Sequence, residues 1–242
     1  MTINNGREFY SVEAEQYEVT RYGTSYGRAF RVSHREIVTR LLAKWAHRGR
    51  ALDVGSGTGQ MLPCLLAQAE RIVATDLTPE MLKVARKLYR DAPIDFAQGD
   101  ALHLPFEDGS FDLVVSSRFL HLFPHDVQKL LLSEFVRVTK PGGIVVVDFY
   151  NRFPRRLLGF FIGAYRHLMR KRPHRDYYNT SRQAAQMLNS TGLTLLDEHG
   201  IGSYFLAPFL WLPQNFLSTM MMTRLFTNRF ASEQWIVVGR RD

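Results

Sequence analysis

Three acids and a cluster of glycines carry the chemistry most readily read from this chain. In Leu52-Asp53-Val54-Gly55-Ser56-Gly57-Thr58-Gly59-Gln60, a hydrophobic strand ends in an acid and a glycine-rich turn opens a helix. Glycine is needed where the backbone takes a positive φ or where a ligand lies in van der Waals contact with it. Gly55, Gly57 and Gly59 form GxGxG, whereas a dinucleotide site places its third glycine one residue later. The spacing points to a nucleoside ligand that brings no pyrophosphate to cradle. Asp76, closing the strand-like run RIVATD, can accept hydrogen bonds from both vicinal ribose hydroxyls. Asp100, in Gln98-Gly99-Asp100-Ala101, can receive an adenine amine, with Leu77 and Ala101 packing on the base.

These residues need strands that end together at one edge. From Arg50 onward, β-branched runs alternate with helical periodicity, the signature of a parallel sheet with crossover helices. Strands are expected at 51–55, 71–76, 94–98, 111–117 and 143–150, and later at 193–201 and 234–240. Helices are expected near 59–69, 79–90 and 124–138, with Thr78-Pro79 as a start signal and Lys140-Pro141-Gly142-Gly143 as a turn before the fifth strand. Residues 1–49 read as one or two helices. The whole chain reads as one domain: an N-terminal helical lid (1–49), a ligand-binding core (50–150), insertions at 151–190 and 202–231, and the last two strands at 191–201 and 232–242. Ligands of open α/β sheets bind outside the carboxyl ends of the strands, so both insertions are placed to cap an acceptor pocket.

The quoted pieces, together with ATDLTPEML, QGDALHLPFEDGSFDLVVSS and RVTKPGGIVVVDF, make the chain resemble class I S-adenosylmethionine-dependent methyltransferases of the ubiquinone/menaquinone C-methyltransferase and general small-molecule type. The resemblance covers about residues 50–150. It implies an α/β Rossmann-like sheet of seven strands, order 3-2-1-4-5-7-6 with the last antiparallel, and helices on both faces. It implies S-adenosylmethionine as cofactor, contacted at Asp53, Gly55, Gly57, Thr58, Gly59, Asp76, Leu77, Asp100, Ala101 and Ser117. The segment EAEQYEVTRYGTSYG looks like the tyrosine-bearing helix that closes over the cofactor, with Tyr17 foremost and Tyr22 and Tyr26 as further candidates. After residue 151 the chain is longer and more basic than the quinone methyltransferases it resembles.

Methyl transfer from a sulfonium is an in-line displacement, so alignment and desolvation carry most of the work. A general base is needed only where the acceptor must lose a proton. His121, in SSRFLHLF after the fourth strand, is the best-placed basic side chain, and structural packing is its alternative role. Tyr150, Asn151, Tyr177 and Tyr178 are expected at the acceptor edge. The eight histidines and the lone Cys64 show no metal-ligand spacing, so no metal is expected. A single cysteine fits a reducing cytoplasm.

The net charge of +8 is confined to one segment. Nine bases and one acid, Asp176, lie between Asn151 and Arg182, and charges cancel elsewhere. Within that segment Leu157, Leu158, Phe161, Ile162, Tyr165, Leu168 and Met169 form a helical stripe bracketed by arginines. Such a helix either lies on an anionic membrane surface or buries its stripe on the sheet. Residues 200–223 carry no Asp, Glu, Lys or Arg, but Pro208, Pro213, Gln214 and Asn215 interrupt them, so a hydrophobic cap is expected and not a membrane span. The expected partner is a hydrophobic or lipid-like small molecule, with peripheral contact to an anionic membrane. Two competing classes stand beside it. A nucleic-acid methyltransferase would use the basic segment for phosphates, although no catalytic motif or RNA-binding module of that class is present and no nucleic acid is expected. A non-catalytic Rossmann-like binding protein would have no reason to keep both Asp76 and Asp100.

Overall fold

The computed structural model describes residues 10–12, 14–154, 156, 176–202, 206, 212–228 and 231–242. Eight strands form one sheet: β1 (Arg50–Val54), β2 (Arg71–Asp76), β3 (Ile94–Gln98), β4 (Phe111–Ser116), β5 (Thr139–Asn151), β6 (Tyr178–Asn179), β7 (Leu193–Ile201) and β8 (Gln234–Arg241). Their order is β3-β2-β1-β4-β5-β8-β7, with the two-residue β6 pairing beside β5. Apart from β6, which shifts the numbering by one, this is the expected 3-2-1-4-5-7-6 sheet. β8 runs antiparallel to both β5 and β7.

Period-two burial builds a core on each face. Ala51, Ile72, Ala74, Leu113 and Val115 face one way, and Leu52, Val54, Val73 and Val114 the other. The first face is covered by α2 (Ser25–Trp45), α3 (Leu62–Leu66) and α7 (Gln214–Met221), through Phe30, Ile37, Leu41, Leu62, Leu217 and Met221. The short α1 (Tyr17–Tyr22) precedes them. The second face takes α5 (His125–Val138), with Leu131, Leu132 and Phe135, and α6 (Ser181–Ser190), with Ala184 and Leu188. α4 (Pro79–Leu88) crosses from β2 to β3. Parallel pairing of β1, β2, β3 and β4 aligns Val54 with Thr75, Asp76 with Gln98, and Asp53 with Val115. The carboxyl ends of these strands therefore gather at one edge.

Three elements depart from the sequence expectation. The helix expected near 59–69 shrinks to Leu62–Leu66, because Gly59 at φ 86° cannot continue a helix and Gly59 N donates back to Ser56 O at 2.8 Å. β5 begins at Thr139, before the expected turn: Phe111 pairs with Thr139, and the register then shifts so that Leu113 pairs with Ile144. Gly142, at φ 76°, absorbs that irregularity. Residues 181–190, grouped by sequence with the cap, form the core helix α6, begun by a capping box between Thr180 and Gln183.

The apolar stripe at 157–169 and Tyr204, Phe205, Phe209, Leu210 and Trp211 lie outside the described residues. Part of the second insertion is described: α7 docks on α2, where Ser33 Oγ donates to Ser218 O at 3.2 Å and Arg28 Nε donates to Gln214 Oε1 at 3.2 Å. Among the described residues no helix is long and apolar enough to cross a membrane.

Candidate active site

The loop after β1 is held open by backbone geometry. Gly55, Gly57 and Gly59 take φ of 66°, 54° and 86°, the left-handed region that other residues enter at a cost. A Cβ on Gly55 would meet the Phe119 ring at 2.5 Å, and one on Gly59 would meet Leu62 and Tyr89 at 2.7 Å. Gly57 has nothing within 4 Å of such an atom, and it lines a cavity of about 520 Å³. Ser56 N donates to Thr75 O at 3.0 Å, tying the loop to β2.

Two carboxyls stand at this end of the cavity. Asp76 accepts from Gly57 N at 2.9 Å through one oxygen and from Thr78 N at 2.8 Å through the other, which locks the β1 and β2 loops together. Burial pushes its carboxyl up, and the amides of Thr78 and Gly57 pull it back. Asp53 is only 1% exposed, and its Oδ2 has no hydrogen-bond partner among the described residues. Burial, with the neighbouring Asp76 charge second, pushes its carboxyl up to about 8. Asp100 also lines the cavity, with Oδ1 accepting from Leu102 N at 2.9 Å.

The N-terminal helix closes on this loop. Glu18 of α1 accepts from Thr58 Oγ1 at 2.6 Å and from Gln60 Nε2, and it pairs with Arg31 at 2.9 Å. The contact with Thr58 spans 40 residues of sequence. Tyr17 and Tyr22 consequently reach the cavity wall, joined by Tyr10, whose ring meets Tyr17 edge-on at 6.3 Å. Tyr26 is not on the described wall; its hydroxyl donates to Glu233 Oε2 at 2.7 Å.

The opposite end is aromatic and aliphatic, with a polar inset. Phe119, Leu122, Phe123, Val127 and Leu131 line it. Ser117 Oγ donates to Asp148 Oδ2 at 2.9 Å, and Arg118 N donates to the same carboxylate at 2.9 Å. Arg118 is the only non-glycine residue of positive φ, 54°, among the described residues. His34, 3% exposed, lines the cavity with Nε2 at 3.5 Å from Asp148 Oδ2 and its ring stacked on Phe30.

The structure therefore brings Tyr17, Asp53, Gly55, Gly57, Thr58, Asp76, Leu77, Asp100, Ala101 and Ser117 to one cavity. Gly59 stands off the described wall and makes the turn. His121, Tyr150, Asn151, Tyr177 and Tyr178 are likewise absent from the described wall. His121 sits in a 3₁₀ turn (Leu120–Leu122), whose three-residue period puts Phe119 and Leu122 on the cavity side and turns His121 toward β5. There its ring stacks on Tyr150 at 3.8 Å with planes 3° apart, and Nε2 lies 3.8 Å from Asp176 Oδ1. Asn151 is fully buried, donating to Ser232 O at 2.8 Å and accepting from Phe153 N at 3.0 Å. Tyr177 N donates to His121 O at 2.8 Å, and the Tyr178 ring tilts against Tyr150 at 5.8 Å. These five make a second polar cluster at the end of β5.

Sequence reasoning missed Glu18, His34 and Arg118. The available signal for His34 was its place in the buried stripe Phe30-His34-Ile37-Leu41, where a ring nitrogen needs a partner.

A family model described as a methyltransferase domain matches residues 52–147. Over 125 residues the chain is 41% identical to a demethylmenaquinone methyltransferase of Renibacterium salmoninarum, covering 51% of this chain and 50% of that protein. Over 182 residues it is 32% identical to the demethylmenaquinone methyltransferase of Thermus thermophilus, covering 66% of this chain and 80% of that one. The chain belongs to the class I S-adenosylmethionine-dependent methyltransferases. It spans about half the length of the first curated relatives it matches. Among solved structures, magnesium protoporphyrin IX methyltransferase of Synechocystis PCC 6803 with bound SAH shares the fold at a TM-score of 0.63 and 16% identity, covering 89% of this chain and 87% of that one. The cofactor of this methyltransferase family is S-adenosylmethionine, and the residues present fit it. An orphaned buried carboxylate oxygen on Asp53 and open space at Gly57 are what a cationic amino-acid nucleoside requires.

Proposed function

We propose that the chain methylates a small, hydrophobic, lipid-like acceptor, with the donor held over the glycine loop. The observation carrying this reading is the polarity of the cavity, with buried acids at one end and Phe119, Leu122, Phe123 and Val127 at the other. When bound, S-adenosylmethionine supplies an electrophilic methyl on a sulfonium. Asp76 binds the ribose hydroxyls with the lone pairs left after its two backbone contacts. Asp100 receives the adenine amine, Leu77 and Ala101 pack on the base, and Asp53 faces the cationic groups of the amino-acid end. Thr58 borders the same end, Ser117 lines the cavity wall beyond it beside Asp148, and Tyr17 on α1 shields the donor from water while Glu18 latches the helix shut. His34, whose Nε2 lies 3.5 Å from Asp148 Oδ2 without a hydrogen bond among the described residues, takes a proton from an acceptor that must lose one. It replaces His121 in that role because its ring reaches the described cavity wall.

The relatives named demethylmenaquinone methyltransferase support a quinone-like acceptor for this chain. The basic excess between Asn151 and Arg182 supports a peripheral contact with anionic lipid, where such acceptors dissolve. Co-sedimentation with anionic but not neutral vesicles, weakened by salt, is expected; protein left in the supernatant with both refutes the membrane contact. The acceptor reading is tested by labelled methyl transfer against quinones, phenols, lipid extract, sugars and RNA. Label in the organic phase is expected, and label confined to RNA or sugars would overturn it.

A further inference from the structure

The acceptor end of the cavity holds a cation that makes no direct ion pair among the described residues. Arg118 lines the wall, with Nη1 donating to the Tyr22 hydroxyl at 2.8 Å. Its guanidinium carbon lies 5.4 Å and 5.5 Å from the ring centroids of Tyr22 and Phe30. Its Nε is shielded from solvent and has no hydrogen-bond partner among the described residues. Among those residues the guanidinium makes no direct ion pair, and the Glu233 carboxylate acts on it only from beyond contact distance. Asp148 accepts the amide of Arg118 itself and the Ser117 hydroxyl, beside His34. Glu233 accepts from Tyr26, and Asp176 lies against His121 and Tyr178. Tyr17, Tyr22 and Tyr150 also surround the guanidinium, and burial raises the Tyr22 and Tyr150 hydroxyls, so those two carry no negative charge at neutral pH.

The backbone is arranged to present this group. A non-glycine residue in the left-handed region is strained, and such strain persists where surrounding contacts fix it, often at ligand sites. Here Asp148 supplies that fixation through the Arg118 amide. A cation shielded by aromatic rings, with no counterion in direct contact among the described residues, is costly to maintain unless a ligand completes it.

We propose that Arg118 is the anion-recognition residue of the acceptor end, and that the acceptor presents an ionised oxygen, a phenolate or a carboxylate, to its guanidinium. This inference rests on the methyltransferase reading above. It makes Arg118 a specificity determinant: the anionic form of an acceptor is held by charge-assisted hydrogen bonds that its neutral form cannot make. For a phenol, the same contact favours the more nucleophilic ionised oxygen.

The test uses the whole chain saturated with S-adenosylhomocysteine and probes it with 4-nitrophenol, whose phenolate absorbs visibly. In the wild type the pKa of bound 4-nitrophenol is expected to fall by about one unit or more, as beside any close cation. Arg118→Met should abolish that shift and weaken phenolate binding about tenfold or more, while neutral 4-nitroanisole binds as before. Arg118→Lys should restore part of the shift. An unshifted pKa in the wild type, or no binding of 4-nitrophenol, overturns the proposal without recourse to any variant. So does an Arg118→Met protein that loses affinity for S-adenosylhomocysteine but not for 5′-methylthioadenosine, which lacks the carboxylate, because the guanidinium then belongs to the donor. Wild-type protein that fails to bind S-adenosylhomocysteine at all strikes the underlying methyltransferase reading instead.

Discussion

The two ends of the cavity are built by different means. The donor end comes from consecutive residues at strand termini, where backbone amides and glycine conformations do the shaping; Gly57, Asp76 and Thr78 are joined by two hydrogen bonds of 2.9 and 2.8 Å. The acceptor end comes from side chains far apart in sequence: Arg118 meets Tyr22 across 96 residues, and His34 on α2 meets Asp148 on β5. A backbone-built site tolerates little variation, because its shape is the fold itself. A side-chain-built site can be retuned by single substitutions that leave the fold standing. The donor end should therefore respond to mutation by losing binding, and the acceptor end by losing turnover.

The largest effect is expected at the glycine loop. Gly57→Val fills the space where donor and backbone meet and strains the backbone at φ 54°, so titration with S-adenosylhomocysteine should show binding lost, with a melting temperature lowered but less than in a variant that also clashes. Gly55→Val should lose binding and stability together, because its Cβ meets the Phe119 ring. Equal stability losses in the two would break the distinction between a ligand-facing and a packing glycine.

Next is the acceptor end. His34→Gln should lower kcat about 100-fold, the low end for a general base, with affinity for S-adenosylhomocysteine unchanged. A parallel loss of donor affinity would mean that the two ends are not separable. Asp76→Ala should show the opposite pattern, weakening S-adenosylhomocysteine binding by about 1.5–3 kcal/mol in calorimetry, the range for hydrogen bonds to a charged acceptor. Unchanged affinity in a folded variant would remove Asp76 from the ribose.

The smallest effect is a pH dependence. The Asp53 carboxyl keeps its proton to about pH 8 in the unliganded fold, whereas an unfolded Asp releases it near 4. The folded state thus binds more protons across that window, and this group makes the unliganded protein less stable as pH rises through it. Cationic groups of the donor favour the ionised carboxylate, so affinity should rise toward about pH 8 and level off above it. Asp53→Asn should flatten both profiles. A wild-type affinity independent of pH would show that the donor does not engage this carboxylate.

Legibility in the sequence followed the same division. Asp53, Asp76 and Asp100 were readable because each closes or follows a strand whose period-two burial is written locally, and the sheet order followed from the resemblance those pieces carry. Glu18, His34 and Arg118 were not, since each acquires its setting only when distant elements pack. His121 shows the same limit from the other side. Its proximity to β4 was visible, but the 3₁₀ turn that rotates it onto Tyr150 depends on where Phe119 and Leu122 find cover. Gly59 kept its place in the motif yet serves the turn against Leu62 and Tyr89.

The most direct test of the central claim, that the loop from Asp53 to Thr58 and the Asp76 carboxylate hold the methyl donor, is calorimetric titration of S-adenosylhomocysteine into the wild type and Gly57→Val, both verified as folded. One-to-one saturable binding to the wild type and none to the variant is the predicted result. No binding to the wild type, or equal binding to both, would contradict it.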